Sequence, residues 1–275
     1  MAVTCDGAQI VEPDELERDG SGDIPVSVLG KAHRLLAAFT GGATTLGLTE
    51  LSRRSGVPKA SAHRLSMELA SLGYLSRTPE GYQLGWRIYE LGQLVPAASL
   101  RAIARPALVD LRMSTKAVIH LVVPRGRECV YLERLVGQRE MASVAPVGMR
   151  MPSFLTASGR IFLAYNEDPH TLDSKTLTAL GLKDHREARK FFADIRNRRY
   201  AEERQQCSAG VRALSVPIMY GDKVIGAVSA TVPISRRDDQ QLLHALWATA
   251  ADISRGLQRS FQQRLSEHYR STLVG

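Results

Sequence analysis

Residues 48–73 read LTELSRRSGVPKASAHRLSMELASLG. The stretch predicts two helices joined by a tight turn. Thr49 suits the N-cap of the first helix, and Gly56 ends it. Val57-Pro58 restarts the chain, with Pro58 fitted to a first helical position. In the second helix Ala62, Leu65, Leu69 and Leu72 recur at helical spacing as one apolar stripe. Ala60, His63, Arg64 and Met67 fall on the opposite face, with Lys59 and Ser61 flanking its start. A helix that buries one side and shows small, polar and basic residues on the other can enter a major groove. Its first backbone N–H groups can meet a phosphate.

The same pattern also fits an ordinary helical hairpin with a solvated basic face, so the context has to decide. Two short strands are expected next, Tyr74–Arg77 and Gly81–Leu84, around the turn Thr78-Pro79-Glu80-Gly81. A hairpin directly after a recognition helix is a wing, and Arg77 on it is a further candidate DNA contact. A helix before the motif, Val26 to Phe39, places Val28, Leu35, Leu36 and Phe39 on its apolar side and ends at Gly41-Gly42. Residues 25–85 are therefore expected to form a winged helix-turn-helix domain that binds double-stranded operator DNA through Lys59, Ala60, Ser61, His63, Arg64, Met67 and Arg77.

At 275 residues the chain suggests one large or two ordinary domains. A hydrophobic content of 44% and a charged content of 23% belong to a soluble globular protein. No apolar run approaches a membrane span, and the N-terminus lacks a basic start followed by an apolar core. The expected location is the cytoplasm, with no membrane partner. Cys5, Cys129 and Cys207 are few, odd in number and far apart, which argues against a disulfide framework or a zinc site. Net charge is +8, but residues 1–23 carry seven acids against Arg18 alone, leaving the remainder strongly basic. A basic body suits a polyanion, although charge alone does not establish one. Residues 1–24 are expected to be a disordered acidic tail, either a weak shield for the basic surface or dispensable.

Beyond the wing, WRIYELGQLV (residues 86–95) is amphipathic and stopped by Pro96. A second helix near Leu100 to Met113 carries Pro106, expected to kink or restart it. Residues 86–113 thus read as a helical linker, either a dimer seam or a spacer. Strands are expected at 117–124 and 129–136, and a helix at 156–165 with Thr156 or Ser158 near its N-cap. A basic helix follows at 184–200, then a hairpin of 213–220 with 223–235 around Gly221-Asp222. A closing helix spans 238–265, with Leu243, Leu246, Ala250, Ile253 and Leu257 on one face. Residues 114–265 are expected to be an α+β domain with a mainly antiparallel sheet.

The order VLGKAHRLLAAF, LTELSRRSGVPKASAHRLSMELASLGYL and GYQLG resembles the IclR family of bacterial transcription regulators. In the second half, RPALVDL (105–111), VYLERL (130–135), PSFLTASGRIFLA (152–164) and the run from Arg198 to Arg236 extend the resemblance. It covers residues 26–262 or so. It implies a winged domain, a helical linker and a GAF-like effector-binding domain, acting as a homodimer or dimer of dimers on palindromic operators. It further implies a repressor of a catabolic operon, with a small organic or aromatic acid as effector and no cofactor. The chain departs from the family in three places. Gln205-Gln206 replace a frequent acidic pair, Thr156-Ala157-Ser158 replace a glycine-rich helix start, and Ala213 stands where some members have a cysteine.

A carboxylate effector needs N–H and O–H donors converging on a mostly apolar site. The helix start at Ala157-Ser158-Gly159 offers backbone donors and the positive end of the dipole. By resemblance Glu203, Ala213, Ser229 and Thr231 line the same cavity; the apolar character of Phe154, Leu155 and Val228 leads us to expect them as its wall. Ser229 and Thr231 alternate on one strand and so face one side. Ser158 as a plain helix cap, Ser229 and Thr231 as ordinary strand residues, and Glu203 as a solvated acid at a helix end remain open alternatives. A metal site from Cys207, His185 and Glu203 matches no established ligand spacing. His120 reads as a satisfied strand histidine, and Met149 and Met151 as gap fillers. Two rival functions stay open, an enzyme on a GAF-like scaffold and a ligand-free dimeric DNA-binding protein. The chain carries no G-x-S-x-G, H-E-x-x-H, phosphate loop or dinucleotide fingerprint.

Overall fold

The computed structural model describes residues 27–40, 42–137 and 145–273, with side chains through Ser260. The expected acidic tail lies outside the described residues. The chain divides into two compact units, one running to Ser99 and the other from Leu100.

The first unit holds α1 (Val28–Ala37), α2 (Leu48–Ser55), α3 (Lys59–Ser71), the hairpin β1 (Leu75–Thr78) and β2 (Gly81–Leu84), and α4 (Trp86–Gln93). Leu35, Phe39, Leu51, Val57, Ala62, Leu65, Leu69, Leu75 and Tyr82 form its core. Four local expectations are corrected. The N-cap of α2 is Gly47, so Thr49 lies inside the first turn with no capping role. Pro58 occupies the N-cap of α3, one residue earlier than expected. Leu72 is 55% exposed because α3 has already ended at Ser71; Val28, in the first turn of α1, is equally exposed. Gly56 adopts the left-handed conformation that reverses the chain between α2 and α3. The turn is held by Ser52 Oγ, which donates to the Val57 carbonyl at 2.6 Å.

The second unit is a six-stranded antiparallel sheet. Its strands are β3 (Val118–Arg125), β4 (Glu128–Leu135), β5 (Arg150–Pro152), β6 (Ala201–Arg204), β7 (Val211–Tyr220) and β8 (Lys223–Pro233), in the spatial order β5-β4-β3-β8-β7-β6. Central β3 and β8 pair although more than 100 residues separate them in sequence, as in Val118 opposite Thr231. One face packs on α5 (Pro96–Thr115) and α9 (Asp239–Leu273) through Leu108, Leu111, Ile119, Leu121, Leu214, Val216, Leu246 and Ile253. The other packs on α6 (Ala157–Asn166), with α7 (Ser174–Ala179) and α8 (His185–Arg198) behind it, through Val122, Tyr131, Ile161, Phe192 and Ala227. Met149 and Met151 pack, partly buried, against this cluster.

Pro96 begins α5 rather than merely stopping the helix before it, and α5 runs through Pro106 as one element. A proline costs one hydrogen bond, and the buried stripe Leu100, Ala104, Leu108 and Leu111 outweighs that loss. A bulge between Leu121 and Val122 changes the alternation of β4. Tyr131 consequently lies on the α6 face, while Glu133, two residues on, turns to the α5 face and binds Arg101 at 3.1 Å.

Candidate functional site

The first candidate surface is one side of α3. Lys59, Ala60, His63, Arg64 and Met67 are exposed there, and Ser61 is half-buried beside Ala62. Arg77 is exposed on β1 of the wing. The N-cap Pro58 has no side-chain acceptor, which leaves the first N–H groups of α3 available to a phosphate oxygen. The charges on α2 behave differently. Arg53 and Arg54 both bind Glu50, whose carboxyl they hold down at about 2. Lys59, Arg64 and Arg77 form no ion pair among the described residues, so their charge stays available to DNA.

The second candidate site lies on the α6 face of the sheet. Strand register sets two adjacent rows of residues across it. Glu203, Ala213, Thr231 and Val118 form one row. Ala201, Ser215, Ser229 and His120 form the next. Directly opposed residues share a face, so all eight side chains point to the same side. The start of α6 lies over them. Thr156 caps this helix by accepting the Gly159 N–H at 2.9 Å, so Ser158 is not the cap. The Ser158 hydroxyl instead meets that of Ser215 at 2.9 Å, and Ser215 donates to the Val228 carbonyl at 3.1 Å. Gly159 is required by proximity, since a Cβ there would lie 2.1 Å from the Ser153 carbonyl oxygen.

The expected residues Ala157, Ser158, Glu203, Ala213, Ser229 and Thr231 are all buried at this place. Ser229 and Thr231 form no side-chain hydrogen bond among the described residues. Both hydroxyls are therefore free to bond a guest molecule.

Glu203 is not a solvated acid at a helix end; it sits within β6, and burial raises its carboxyl above the ordinary range. Its Oε2 accepts the Gln206 N–H at 3.0 Å. Val228 does not wall the site, because it alternates with Ser229 and packs among the α5 and α9 residues. Gln205 and Gln206 are committed to the protein: one accepts the Gly210 N–H at 3.0 Å, the other the Arg160 guanidinium.

Sequence reasoning missed Ser215, one period-2 step beyond Ala213, and misjudged His120. The imidazole is 2% exposed, stands edge-on to Tyr131 at 5.0 Å, and has an Nε2 atom with no hydrogen-bond partner. Burial and the nearby Arg134 charge depress its pKa to about 3. Among the described residues no three His, Cys, Asp or Glu side chains converge as a metal site, and no helix is long and apolar enough to cross a membrane.

Known proteins match both units. The IclR helix-turn-helix domain model matches residues 28–79, and the bacterial transcriptional regulator IclR C-terminal model matches residues 93–255. The HTH-type transcriptional regulator XynR of Escherichia coli K12 is 30% identical over 222 residues, covering 77% of this chain and 88% of that protein. The Pca operon regulatory protein of Acinetobacter baylyi is 24% identical over 245 residues, 84% of this chain and 88% of that protein. An IclR homologue from Microbacterium hydrocarbonoxydans, solved in complex with 4-hydroxybenzoate, has a TM-score of 0.74 at 25% identity, over 85% of this chain and 100% of that one. Both units match those of DNA-binding regulators rather than enzymes, and the chain belongs to the IclR family of bacterial transcriptional regulators.

Proposed function

We propose that the protein represses a catabolic operon and is released from, or reset on, its operator by a small organic acid, most specifically an aromatic one. The observation that carries the reading is the pair of buried polar rows under α6. Ser229, Thr231 and His120 offer hydrogen-bonding atoms with no protein partner beside the bonded polar groups of Ser158, Ser215 and Glu203. A buried site of that kind binds a small molecule with a few fixed polar groups. One structural neighbour supports the choice of acid, since it holds 4-hydroxybenzoate.

In this reading residues 25–85 bind DNA, residues 86–113 link, and residues 114–265 sense the effector. Lys59, Ala60, Ser61, His63, Arg64 and Met67 face the major groove, and Arg77 meets the backbone beside it. Ala157, Ser158, Glu203, Ala213, Ser229 and Thr231 surround the effector. A homodimer, or a dimer of dimers, is expected because one recognition helix covers only a half-site.

The test is a thermal-shift screen of organic acids followed by an operator-release assay on the DNA upstream of the neighbouring genes. Stabilisation by an acid together with altered operator affinity supports the reading, and coupling of about 1–3 kcal/mol is the usual scale. Tight operator binding with no acid that stabilises the protein would instead identify a ligand-free DNA-binding dimer.

A further inference from the structure

Helix α8 ends at Arg198, and Arg199 then takes a left-handed backbone at φ 57°. Glycine adopts that conformation freely, whereas an arginine is strained in it. Trp247 holds it there, its indole Nε1 donating to the Arg199 carbonyl at 3.1 Å. Strain of this kind collects where a side chain is put to use.

Arg199 and Trp247 line a groove of about 690 Å³ between the end of α8, β7 and α9. The groove exists because β6 covers β7 only from Arg212 to Ser215. Pro217 and Met219 face it from the strand edge beyond. Pro217 has no N–H, and the Met219 N–H is donated to Ser254 Oγ at 3.1 Å. These two residues offer no donor to an added strand, which argues against a peptide paired along the edge.

Charge narrows the occupant further. Arg198 pairs with Asp194 at 3.1 Å, and Arg255 pairs with Asp252. The Arg199 guanidinium has no hydrogen bond or ion pair among the described residues. One uncompensated guanidinium suits a single negative charge rather than a polyanion, and its planar fork matches a carboxylate. The wall is aromatic and polarizable. Trp247 is half-buried with Tyr200 edge-on to it at 6.3 Å, and Met219 adds a thioether. A flat ring packs well against an indole and a sulfur. We infer that this groove is a binding site for an aromatic monocarboxylate, with its ring against Trp247 and Met219 and its carboxylate on Arg199. The groove shares no lining residue with the polar rows under α6, so the inference stands apart from the effector reading.

The chain has two tryptophans, so full-length protein carrying Trp86→Phe reports on the groove through Trp247 fluorescence. Titration with benzoate is expected to change that emission saturably at millimolar concentration or below. Benzamide, which lacks the charge, is expected to bind about tenfold or more weakly. Cyclohexanecarboxylate, which lacks the flat ring, is expected to bind about threefold or more weakly. Arg199→Gly removes the guanidinium and relaxes the left-handed backbone, so thermal melting is expected to show an intact fold. Its benzoate affinity is expected to fall about tenfold or more. The pair Ser229→Ala and Thr231→Val is expected to leave the Trp247 titration unchanged.

No saturable response to benzoate overturns the inference, as does equal binding of either control acid or amide, or a response that Arg199→Gly leaves intact. A Trp247 response lost in the Ser229 and Thr231 variant belongs to the site under α6 and overturns it too. Operator release by an acid that never perturbs Trp247 leaves the effector reading standing and removes this site alone.

Discussion

The hydroxyl oxygens of Ser158 and Ser215 lie 2.9 Å apart, joining the first turn of α6 to the middle of β7. Ser215 passes its proton on to the Val228 carbonyl of β8, so one chain of hydrogen bonds fixes the helix start over the sheet. These two hydroxyls are structural, whereas those of Ser229 and Thr231 have no protein partner among the described residues. Ser215→Ala is expected to destabilise the protein by about 1–3 kcal/mol, because it strands the buried Ser158 hydroxyl. Urea denaturation measures this.

The double substitution Ser229→Ala with Thr231→Val removes hydroxyls that bond nothing in the protein. It is expected to leave thermal stability nearly unchanged, since no hydrogen bond within the protein is lost. Effector-dependent release is expected to vanish while operator binding remains. A normal response in that variant would place the effector elsewhere.

Gly159→Ala drives a methyl group into the Ser153 backbone, 2.1 Å from its carbonyl oxygen. A backbone carbonyl cannot rotate away as a side chain can. The expected loss is about 1–3 kcal/mol or more of folding stability, with weakened effector binding, since the Ser153–Leu155 turn and the α6 start must separate. Chemical denaturation and ligand titration of the one variant test both.

His120 links stability to pH with a definite sign. Its pKa falls from an ordinary 6.5 to about 3 in the folded protein. Between those values the unfolded chain takes a proton that the folded chain refuses, so stability drops as pH falls through that window. The full effect is on the order of 5 kcal/mol. Glu203, whose pKa is raised by burial, acts in the opposite direction above its ordinary 4.5. Denaturation curves at a series of pH values are expected to lose part of their acid slope in His120→Gln, and an unchanged slope would contradict the buried neutral ring.

Arg64→Ala is expected to weaken operator binding without disturbing the fold, since Arg64 is exposed and forms no ion pair among the described residues. A contact to a guanine edge costs about 1–3 kcal/mol at one base position. A contact to phosphate weakens all sequences alike and flattens the salt dependence. Binding titrations on mutated operators at several salt concentrations separate the two, and unaltered affinity would remove α3 from the groove.

On and after α4, Trp86, Tyr89, Leu94 and Val95 are exposed, with Trp86 at 77% and Leu94 at 79%. So much apolar surface on a short helix is expected to be covered by a second copy of the chain. Light scattering is expected to give at least a dimer at micromolar concentration, and Trp86→Glu to shift it toward monomer. A wild-type monomer with full operator affinity would rule out this seam.

Local features of the chain were legible because their causes are local. The break at Gly56, the period of Ala62, Leu65 and Leu69, and the β7–β8 turn at Gly221-Asp222 each depend on residues a few positions apart. The winged motif follows from them. Strand alternation likewise puts Ser229 and Thr231 on one side without any knowledge of the sheet.

What lies opposite those residues is not local. The pairing of β3 with β8 joins His120 to Ser229, and no turn residue between them specifies it. The pairing arises because both strands are buried on two faces and take the centre of the sheet. The sequence by itself therefore determined the winged unit, the antiparallel class and the hydroxyl pair. Only the tertiary structure decided that Glu203 is buried in a strand, that Thr156 rather than Ser158 caps α6, and that His120 is buried with an unpartnered Nε2. In each case the side chain's role depends on desolvation and hydrogen-bond partners supplied by distant segments, and those exist only once the sheet has closed beneath the helix.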